Sequence, residues 1–312
     1  AEAITLSGQV SIRWIEGKVN SYLNKLLKTE DQDYVIASDT DSIYVCLDLL
    51  VRNVFPDPKI SSERIVSFID AACKEKIEPF ITKSYQELAD YVGAYDQKMF
   101  MKRENIANKG IWTAKKRYIL NVWDSEGVRY EKPKLKIMGL EAVKSSTPAA
   151  CRTAIRDCMK VIMNKDEEAA QKFISDFRDE FTSLPVEDIS FPRGCSNLNK
   201  WSNPTTLYSK GTPIHVRGAL LYNFYNKKNK LTHKYPLIQE GEKIKFVYLK
   251  TPNKINENVI SYLGTFPKEL GLDKQVDYDL QFSKSFLEPI KVIMDTIGWK
   301  AEKVASLEFL FG

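Results

Sequence analysis

The apolar residues near the start of the chain follow a helical pattern. They recur at spacings of three and four, as one stripe along a helix does: Ile15, Val19, Tyr22 and Leu26. A second helical pattern begins after Ser61 or Ser62, either of which can cap a helix. Its apolar side continues as far as Leu88, so we predict a long helix there.

Short runs of β-branched and aromatic residues predict strands at 34–37 and 43–45. The five residues between them, 38–42, are Ser, Asp and Thr, which favour turns, so the two strands form a predicted hairpin. From Gly110 onward the apolar pattern again has a period of two. It predicts a second hairpin, with strands at 118–123 and 128–130.

Beyond residues 139–148 the pattern is helical, and we predict a domain boundary in that segment. Two stripes follow it: Cys151, Ile155, Cys158 and Ile162 on one helix, then Phe173, Phe177 and Phe181 on the next. After Pro185 the chain is predicted to be looped and mixed until a last helix at about 286–294. The fold class is therefore predicted to be α+β, with strands before the boundary and helices after it.

Composition narrows the class of protein. The chain has 312 residues, enough for about two domains, and its 43% apolar and 28% charged content is typical of a globular protein. No apolar run is long enough for a transmembrane helix, and the first residues do not resemble a signal peptide. Five scattered cysteines and two histidines make a zinc site improbable and favour reduced, mostly buried thiols.

The net charge of +5 is unevenly distributed. Residues 101–144 contain eleven Lys or Arg and five Asp or Glu, a surplus larger than that of the whole chain. A local basic surplus indicates a polyanionic partner, and a solvated charged face is an equally good explanation.

Two aspartates, Asp39 and Asp41, lie in the predicted turn between the first two strands. The simplest interpretation is a polar hairpin turn. The alternative is a metal site, because neighbouring carboxylates repel unless a cation lies between them and Mg²⁺ prefers oxygen ligands. A pair of such ions is a common device for phosphoryl transfer, and the basic segment could then hold a phosphate backbone.

Several segments, taken together and in order, resemble family B DNA polymerases, in particular the replicative enzymes of T-even-type bacteriophages. They are SDTDSIYV at 38–45, KREN at 102–105, KKRY at 115–118 and KPKLKIMGLEAVKSSTP at 132–148. Segments at 3–14, 213–223 and 241–243 add to the similarity, which covers essentially the whole chain. Each motif alone is weak, and it is their order and spacing that make the resemblance specific.

The resemblance implies a partial polymerase palm at residues 1–139, an antiparallel sheet with helices, followed by a mostly helical thumb at 140–312. It implies that Asp41 and Asp39 are catalytic metal ligands for two Mg²⁺ ions, whose coordination a carboxylate outside this chain completes. Glu104 matches a nearby palm carboxylate and is a third candidate ligand. It is equally well explained as an exposed charge.

The resemblance also implies contacts with primer-template DNA, and a dNTP as the second substrate. Lys116 and Tyr118 are expected on one strand face, and Lys134 and Lys136 on another. For any single lysine, protection of a strand edge is the alternative explanation. The candidate DNA-binding residues are Thr40, Lys115, Lys116, Arg117, Tyr118, Lys134, Lys136 and Lys144.

No segment of this sequence resembles the family's earlier palm aspartate motif or its triphosphate-gripping fingers helix. We therefore expect the chain to be inactive without an N-terminal half, and to expose apolar palm surface. The C-terminal residues, about 305–312, resemble a sliding-clamp-binding peptide, and packing onto the thumb is the alternative. The candidate clamp-binding residues are Leu307, Phe309, Leu310 and Phe311.

Two functional hypotheses remain. The first is the C-terminal part of a replicative DNA polymerase, acting in the cytoplasm of an infected bacterium with no membrane partner. The second is a non-catalytic duplex-DNA-binding accessory module with a sliding-clamp tail. A metal-dependent nuclease is disfavoured, because the chain has no motif resembling the family's proofreading carboxylates.

Overall fold

The computed structural model of the chain describes residues 2–57 and 59–303. The fold class is α+β, as predicted. The chain forms two compact units: the first comprises Ala1–Gly110 and Leu120–Lys136, and the second comprises Ile111–Ile119 and Ile137–Gly312. None of the described helices is both long enough and apolar enough to cross a membrane.

The first unit is built from helices around a hairpin. Its elements are α1 (Glu2–Leu27), β1 (Val35–Asp39), β2 (Ser42–Val45), α2 (Asp48–Val54), α3 (Ser62–Ala72) and α4 (Glu78–Tyr91). Three longer strands follow and contribute residues to both units: β3 (Asn105–Ala114), β4 (Arg117–Ser125) and β5 (Val128–Met138). Their order in the sheet is β3–β4–β5.

The core of the first unit lies between α1, α4 and β1. Its fully or nearly fully buried side chains are Ile15, Val19, Leu23, Tyr34, Val35, Ile81, Tyr85 and Leu88. The predicted stripe on α1 is corrected at one position, because Leu23 continues it and Leu26 is half exposed. At the start of α3 the Ser61 hydroxyl accepts a hydrogen bond from the Arg64 amide at 3.3 Å, as a capping serine should.

A π-helical turn, Cys73–Ile77, joins α3 to α4 without a break. In it the Glu78 amide donates to the Cys73 carbonyl, five residues back. Pro79 follows immediately, and a proline ring would clash with a carbonyl four residues earlier in a regular α-helix. The widened turn relieves that clash, so the predicted helix continues through the proline to Tyr91.

The second unit combines helices with a small antiparallel sheet of order β10–β9–β6. Its helices are α5 (Ala149–Asn164), α6 (Glu167–Phe181), α7 (Val186–Ile189), α8 (Leu198–Trp201), α9 (Ile214–Lys228), α10 (Tyr278–Phe282) and α11 (Glu288–Thr296). Its remaining strands are β6 (Phe191–Gly194), β7 (Ser202–Asn203), β8 (Leu207–Tyr208), β9 (Lys243–Tyr248) and β10 (Val259–Tyr262). Between Pro185 and residue 286, where the chain was predicted to be looped and mixed, it forms these five strands and the helices α7 to α10.

The helical core of the second unit confirms the predicted stripe on α5 and corrects that on α6 at one position, because Ile174 is buried and Phe173 is only half-buried. Cys151, Ile155, Cys158 and Ile162 are all buried on α5. On α6, Phe177 and Phe181 are buried against Phe282 and Phe286, with ring centroids 4.7 to 6.0 Å apart. All five cysteines are free thiols, and four are buried. Burial raises the pKa of Cys158 to about 12, so that thiol stays protonated.

Candidate active site

The two aspartates flank a tight turn at the tip of the β1–β2 hairpin. Asp39 pairs with Ser42 across the hairpin, so only Thr40 and Asp41 lie between the strands. The turn is therefore two residues long. Asp41 is exposed and Asp39 is half-buried, so both carboxylates lie where a ligand can reach them.

The backbone at this turn is strained. The Asp41 amide donates to the Asp39 carbonyl at 2.5 Å, which closes a γ-turn centred on Thr40. Thr40 has a φ of +43°, a region that β-branched residues rarely adopt. Its hydroxyl donates to Asp39 Oδ1 at 3.0 Å, and the Ser42 hydroxyl donates to the Asp39 carbonyl at 3.2 Å. Strain of this kind is found where a fold over-determines the placement of functional groups.

The α1 side chain of Asn20 fixes the other end of β1. Its Oδ1 accepts hydrogen bonds from the amides of Tyr34 and Val35, at 2.9 and 2.8 Å. Its Nδ2 donates to Asp33 Oδ1 at 2.8 Å. The hairpin is therefore attached to the helical core by hydrogen bonds as well as by the buried Tyr34 and Val35 side chains. Sequence reasoning missed Asn20, because no local pattern marks an amide that binds residues fourteen positions later.

The carboxylate chemistry of the hairpin suits Mg²⁺. Two exposed or half-exposed aspartates supply oxygen ligands and leave further coordination positions for water or phosphate oxygens. They do not complete a site by themselves. Within residues 2–57 and 59–303 no group of three or more His, Cys, Asp or Glu side chains is placed to hold a metal ion. The residues present therefore fit part of a magnesium site.

Glu104 lies in the same unit as the hairpin and is exposed. Its Oε2 is 3.9 Å from Lys136 Nζ, and its carbonyl accepts the Glu126 amide at 2.6 Å. The structure thus brings two of the candidate residues together, Glu104 and Lys136. The role of Glu104 as a metal ligand stays a prediction.

Arg103, the residue before Glu104, belongs to a buried ion-pair network. Arg103 donates to both Asp70 and Asp124, and Arg129 Nε donates to Asp124 at 2.7 Å. Burial of Asp124 opposes its charged form, yet hydrogen bonds from the Gly127 amide, Arg129 and Arg103 outweigh burial and lower its pKa. This network joins α3 to the β4–β5 turn. It is a structural feature that the sequence analysis did not identify.

The KKRY segment begins in a turn. Lys115 and Lys116 form the two-residue connection between β3 and β4, and Lys116 has a φ of +61°. The expectation that Lys116 and Tyr118 share one strand face is corrected, because Lys116 precedes the strand, which begins at Arg117. The Tyr118 ring is buried and lies 6.1 Å from that of Trp112. Lys115 and Lys116 are exposed at the tip.

Arg117 and Lys144 are brought together by one carboxylate. Arg117 Nη2 lies 3.1 and 3.2 Å from the two oxygens of Glu141, and Lys144 Nζ lies 2.9 Å from Oε1. Burial of Glu141 opposes its charge, but Lys144 and Arg117 lower its pKa, so it remains ionised. Gly139 packs beside this cluster with a φ of +66°, where an added β-carbon would come within 3.4 Å of the Lys116 carbonyl carbon.

Lys134 and Lys136 lie on one face of β5, since residues two apart in a strand share a face. Lys134 is exposed, with its Nζ 4.1 Å from the centroid of the Tyr130 ring. β5 lies at an edge of its sheet, which also explains why Pro133 is tolerated within it. The candidate clamp-binding residues Leu307, Phe309, Leu310 and Phe311 lie outside the described residues.

Comparison with known proteins gives a single, consistent result. Over its whole length the chain is 36% identical to the DNA-directed DNA polymerase of Enterobacteria phage T4 and 38% identical to that of Escherichia phage RB69. It covers 36% and 35% of those two proteins, so it spans about a third of the length of these curated relatives, their C-terminal third. No protein-family model matches the chain.

Proposed function

We propose that this chain, which corresponds in sequence to the C-terminal third of T-even-type phage DNA polymerases, acts as the C-terminal portion of a family B replicative DNA polymerase in the infected cell's cytoplasm. Residues 1–139 would form part of the palm and residues 140–312 the thumb. The observation that carries the proposal is the strained two-residue turn at an accessible hairpin tip, in which Asp39 and Asp41 flank Thr40.

In this proposal Asp39 and Asp41 hold Mg²⁺ beside the primer end, and a carboxylate outside this chain completes the coordination. When bound, Mg²⁺ would supply the charge that activates the primer hydroxyl and stabilises the leaving pyrophosphate of the dNTP. Thr40 orients Asp39 through its hydroxyl. Asp39 and Asp41 alone, without a third carboxylate from outside this chain, should not support nucleotidyl transfer. Activity therefore requires the N-terminal portion of the enzyme.

The lysine-rich surfaces would hold the phosphate backbone of primer-template DNA. Lys115 and Lys116 are exposed at a turn, and Lys134 and Lys136 share a strand face. Phosphate contacts give affinity without sequence preference, and they weaken steeply with salt. We extend the proposal to Arg117, Tyr118 and Lys144, whose side chains order this region through Glu141 and Trp112.

The second candidate is a non-catalytic duplex-DNA-binding module, and the exposed lysines of the β3–β4 turn and of β5 support it. The lack of a complete three-ligand metal group among residues 2–57 and 59–303 fits both candidates, and Asp39 and Asp41, which a binding module does not need, favour the first. In both candidates the segment 305–312 would bind a sliding clamp. In the polymerase candidate, deletion of residues 306–312 should then abolish clamp-stimulated processivity and leave the distributive synthesis of the complemented enzyme intact.

The deciding experiment is Mg²⁺-dependent primer extension, by this chain alone and with the N-terminal portion of the same polymerase added. We expect extension only in the mixture. Asp41→Asn should abolish it. The control is Asp31→Asn, which should leave extension unchanged. Asp31 is an exposed carboxylate of the same unit, and its backbone conformation is one that Asn tolerates.

Other outcomes would change the assignment. DNA binding without extension, in a mixture verified to be folded and associated, would favour the duplex-binding module. Extension by the chain alone would show that no further carboxylate is needed.

A further inference from the structure

A basic cavity of about 190 Å³ opens within the second unit, between the segment before α5, strand β6 and the start of α11. Three cationic side chains line it, Lys144, Arg193 and Lys284, against one carboxylate, Glu141. Among its other lining residues is Ser146. A polar cavity with this excess of positive charge is suited to an anion.

The two lysines already have carboxylate partners. Lys144 Nζ is 2.9 Å from Glu141, which also binds Arg117. Lys284 Nζ is 2.7 Å from Glu288, one helical turn away. Their charges are therefore largely balanced, and Arg193 supplies the positive charge in excess.

Arg193 is half-buried, and within the described part of the chain no carboxylate pairs with it. Its Nη1 donates to the carbonyls of Ser146 at 2.7 Å and Pro192 at 2.9 Å. Its guanidinium lies 5.6 and 5.9 Å from the ring centroids of Phe191 and Phe246. These contacts fix the side chain and leave the N–H groups of Nε and Nη2 for another acceptor.

Burial without a counter-charge is unfavourable for the Arg193 guanidinium. It lowers the pKa of Arg193, although a guanidinium remains protonated at neutral pH. An anion in the cavity would offset that cost. A guanidinium held in one orientation also matches the oxygens of a phosphate group, which it can bind through two parallel hydrogen bonds.

We propose that this cavity binds one phosphate group, with Arg193 as its anchor and Lys144 and Lys284 beside it. The phosphate could belong to a nucleic-acid backbone or be free in solution. The nucleic-acid source rests on the proposed function, whereas phosphate binding itself does not.

The first test is a calorimetric titration of the full chain with inorganic phosphate. Arg193→Gln should weaken binding about tenfold or more, as expected for loss of a charge-assisted hydrogen bond. The matched control is Arg217→Gln in the same unit. Arg217 also lies over an aromatic ring, Tyr208 at 5.7 Å, but it has a carboxylate neighbour, Glu257 at 4.0 Å. The control should bind phosphate like the original chain.

A second variant keeps the test decisive if Arg193→Gln does not fold. Lys284 is exposed enough to be changed to Gln without disturbing the packing around Arg193, and its loss should weaken phosphate binding several-fold. The proposal is overturned if the original chain does not bind phosphate at millimolar concentration, or if both cavity variants bind as well as the control.

Duplex DNA then distinguishes the two sources. If the ligand is a backbone phosphate, Arg193→Gln should reduce the slope of log affinity against log salt by about 0.9, the value for one phosphate contact. If phosphate binding is lost while that slope is unchanged, the cavity binds free phosphate. Because the titration needs neither DNA nor catalysis, a failure of the polymerase proposal would leave its result intact.

Discussion

At the residue scale, we predict opposite effects on stability for alanine substitutions at two helical glycines. Gly218 on α9 faces β10, where an added β-carbon would come within 2.7 Å of the Ser261 amide nitrogen and 3.1 Å of the Ile260 carbonyl carbon. Both atoms belong to the backbone, so they cannot move aside cheaply. Gly17 on α1 is exposed, and a β-carbon added there would meet no atom within 4 Å apart from the backbone of its own helix and its chain neighbours.

We therefore expect Gly218→Ala to destabilise the second unit by about 1–3 kcal/mol through overpacking. Gly17→Ala should stabilise the first unit by about 0.5–1 kcal/mol, because alanine loses less backbone entropy in a helix. Urea unfolding, with hydrogen exchange read separately in α1 and α9, measures both effects. A neutral Gly218→Ala would show that β10 can shift away from α9.

The residues of the candidate site were predictable to different degrees. Asp39 and Asp41 were identified from the sequence because turn formers between two β runs are a local signal. The positive φ values at Thr40 and Lys116 were not, since neither residue type favours that region. Asn20 was missed because its partners are distant in sequence. The candidate carboxylates could therefore be predicted from the sequence, whereas backbone strain and long-range hydrogen bonds could not.

At the scale of elements, the ion-pair network predicts acid sensitivity of the first unit. Burial disfavours the charge on Asp70 and Asp124. Hydrogen bonds from Lys74 and Arg103 to Asp70, and from the Gly127 amide and two arginines to Asp124, outweigh burial and hold both pKa values below the ordinary 3.8. A carboxyl whose pKa is lowered in the folded state adds stability above its unfolded pKa. That stability is lost as the pH falls through the folded value. The first unit should therefore lose stability below about pH 3.8.

The variant Asp124→Asn tests this network. It removes the buried charge that pairs with both Arg103 and Arg129 and leaves Asp70 as the one carboxylate of the network, so we expect a loss of about 1.5–3 kcal/mol at pH 7. The loss should shrink as the pH falls below 3.8. The control is Asp96→Asn, since Asp96 is exposed and pairs with Lys98 at 3.3 Å on the surface. Denaturant unfolding at several pH values measures both, and an equal effect of the two variants would contradict the argument.

Elements with a local signal were predicted well, and those formed by distant pairing were not. The β1 and β2 boundaries are within two residues of prediction, and the serine cap is where it was expected. The return strand was predicted to end at residue 130, yet β5 reaches Met138, because an edge strand tolerates Pro133. The sheet of β6, β9 and β10 was missed, since its strands are short and β6 lies far from the other two in sequence.

The two π-helical turns share a sequence signature that could improve such predictions. Cys73–Ile77 and Ser283–Leu287 are each followed by Glu-Pro, with a helix continuing beyond. A proline in the middle of a helical pattern is usually taken as its end. When apolar helical spacing resumes after Glu-Pro, a π turn that accommodates the proline is the better prediction.

At the scale of the whole molecule, exposed apolar surface is unevenly divided. Of the sixteen large hydrophobic residues that are exposed within the described ranges, twelve belong to the first unit and four to the second. The sequence analysis expected such exposure of apolar palm surface. In the first unit they are Ile4, Leu6, Val10, Leu26, Ile36, Val54, Tyr91, Val92, Tyr95, Met99, Phe100 and Val128. This uneven division leads us to expect a partner that covers part of the first unit.

We expect that partner to be the part of the polymerase that corresponds to the other two thirds of its relatives. Tyr95 and Phe100 are the best probes, because Tyr95 is fully exposed and Phe100 is 68% exposed. The double variant Tyr95→Gln, Phe100→Gln should weaken binding of the N-terminal portion and reduce self-association of the isolated chain. Its stability should hardly change, because exposed side chains contribute little to folding.

The matched control is Val143→Ser with Val292→Ser, which removes two exposed apolar side chains, 45% and 46% exposed, from the second unit. Sedimentation velocity, with and without the N-terminal portion, measures association for both variants. If the control weakens association as much as the first-unit variant does, the exposed apolar residues act nonspecifically, and their uneven division would not mark a docking surface. If only the first-unit variant weakens association, the partner binds the unit that contains Asp39 and Asp41, as the proposed completion of a magnesium site by a carboxylate outside this chain requires.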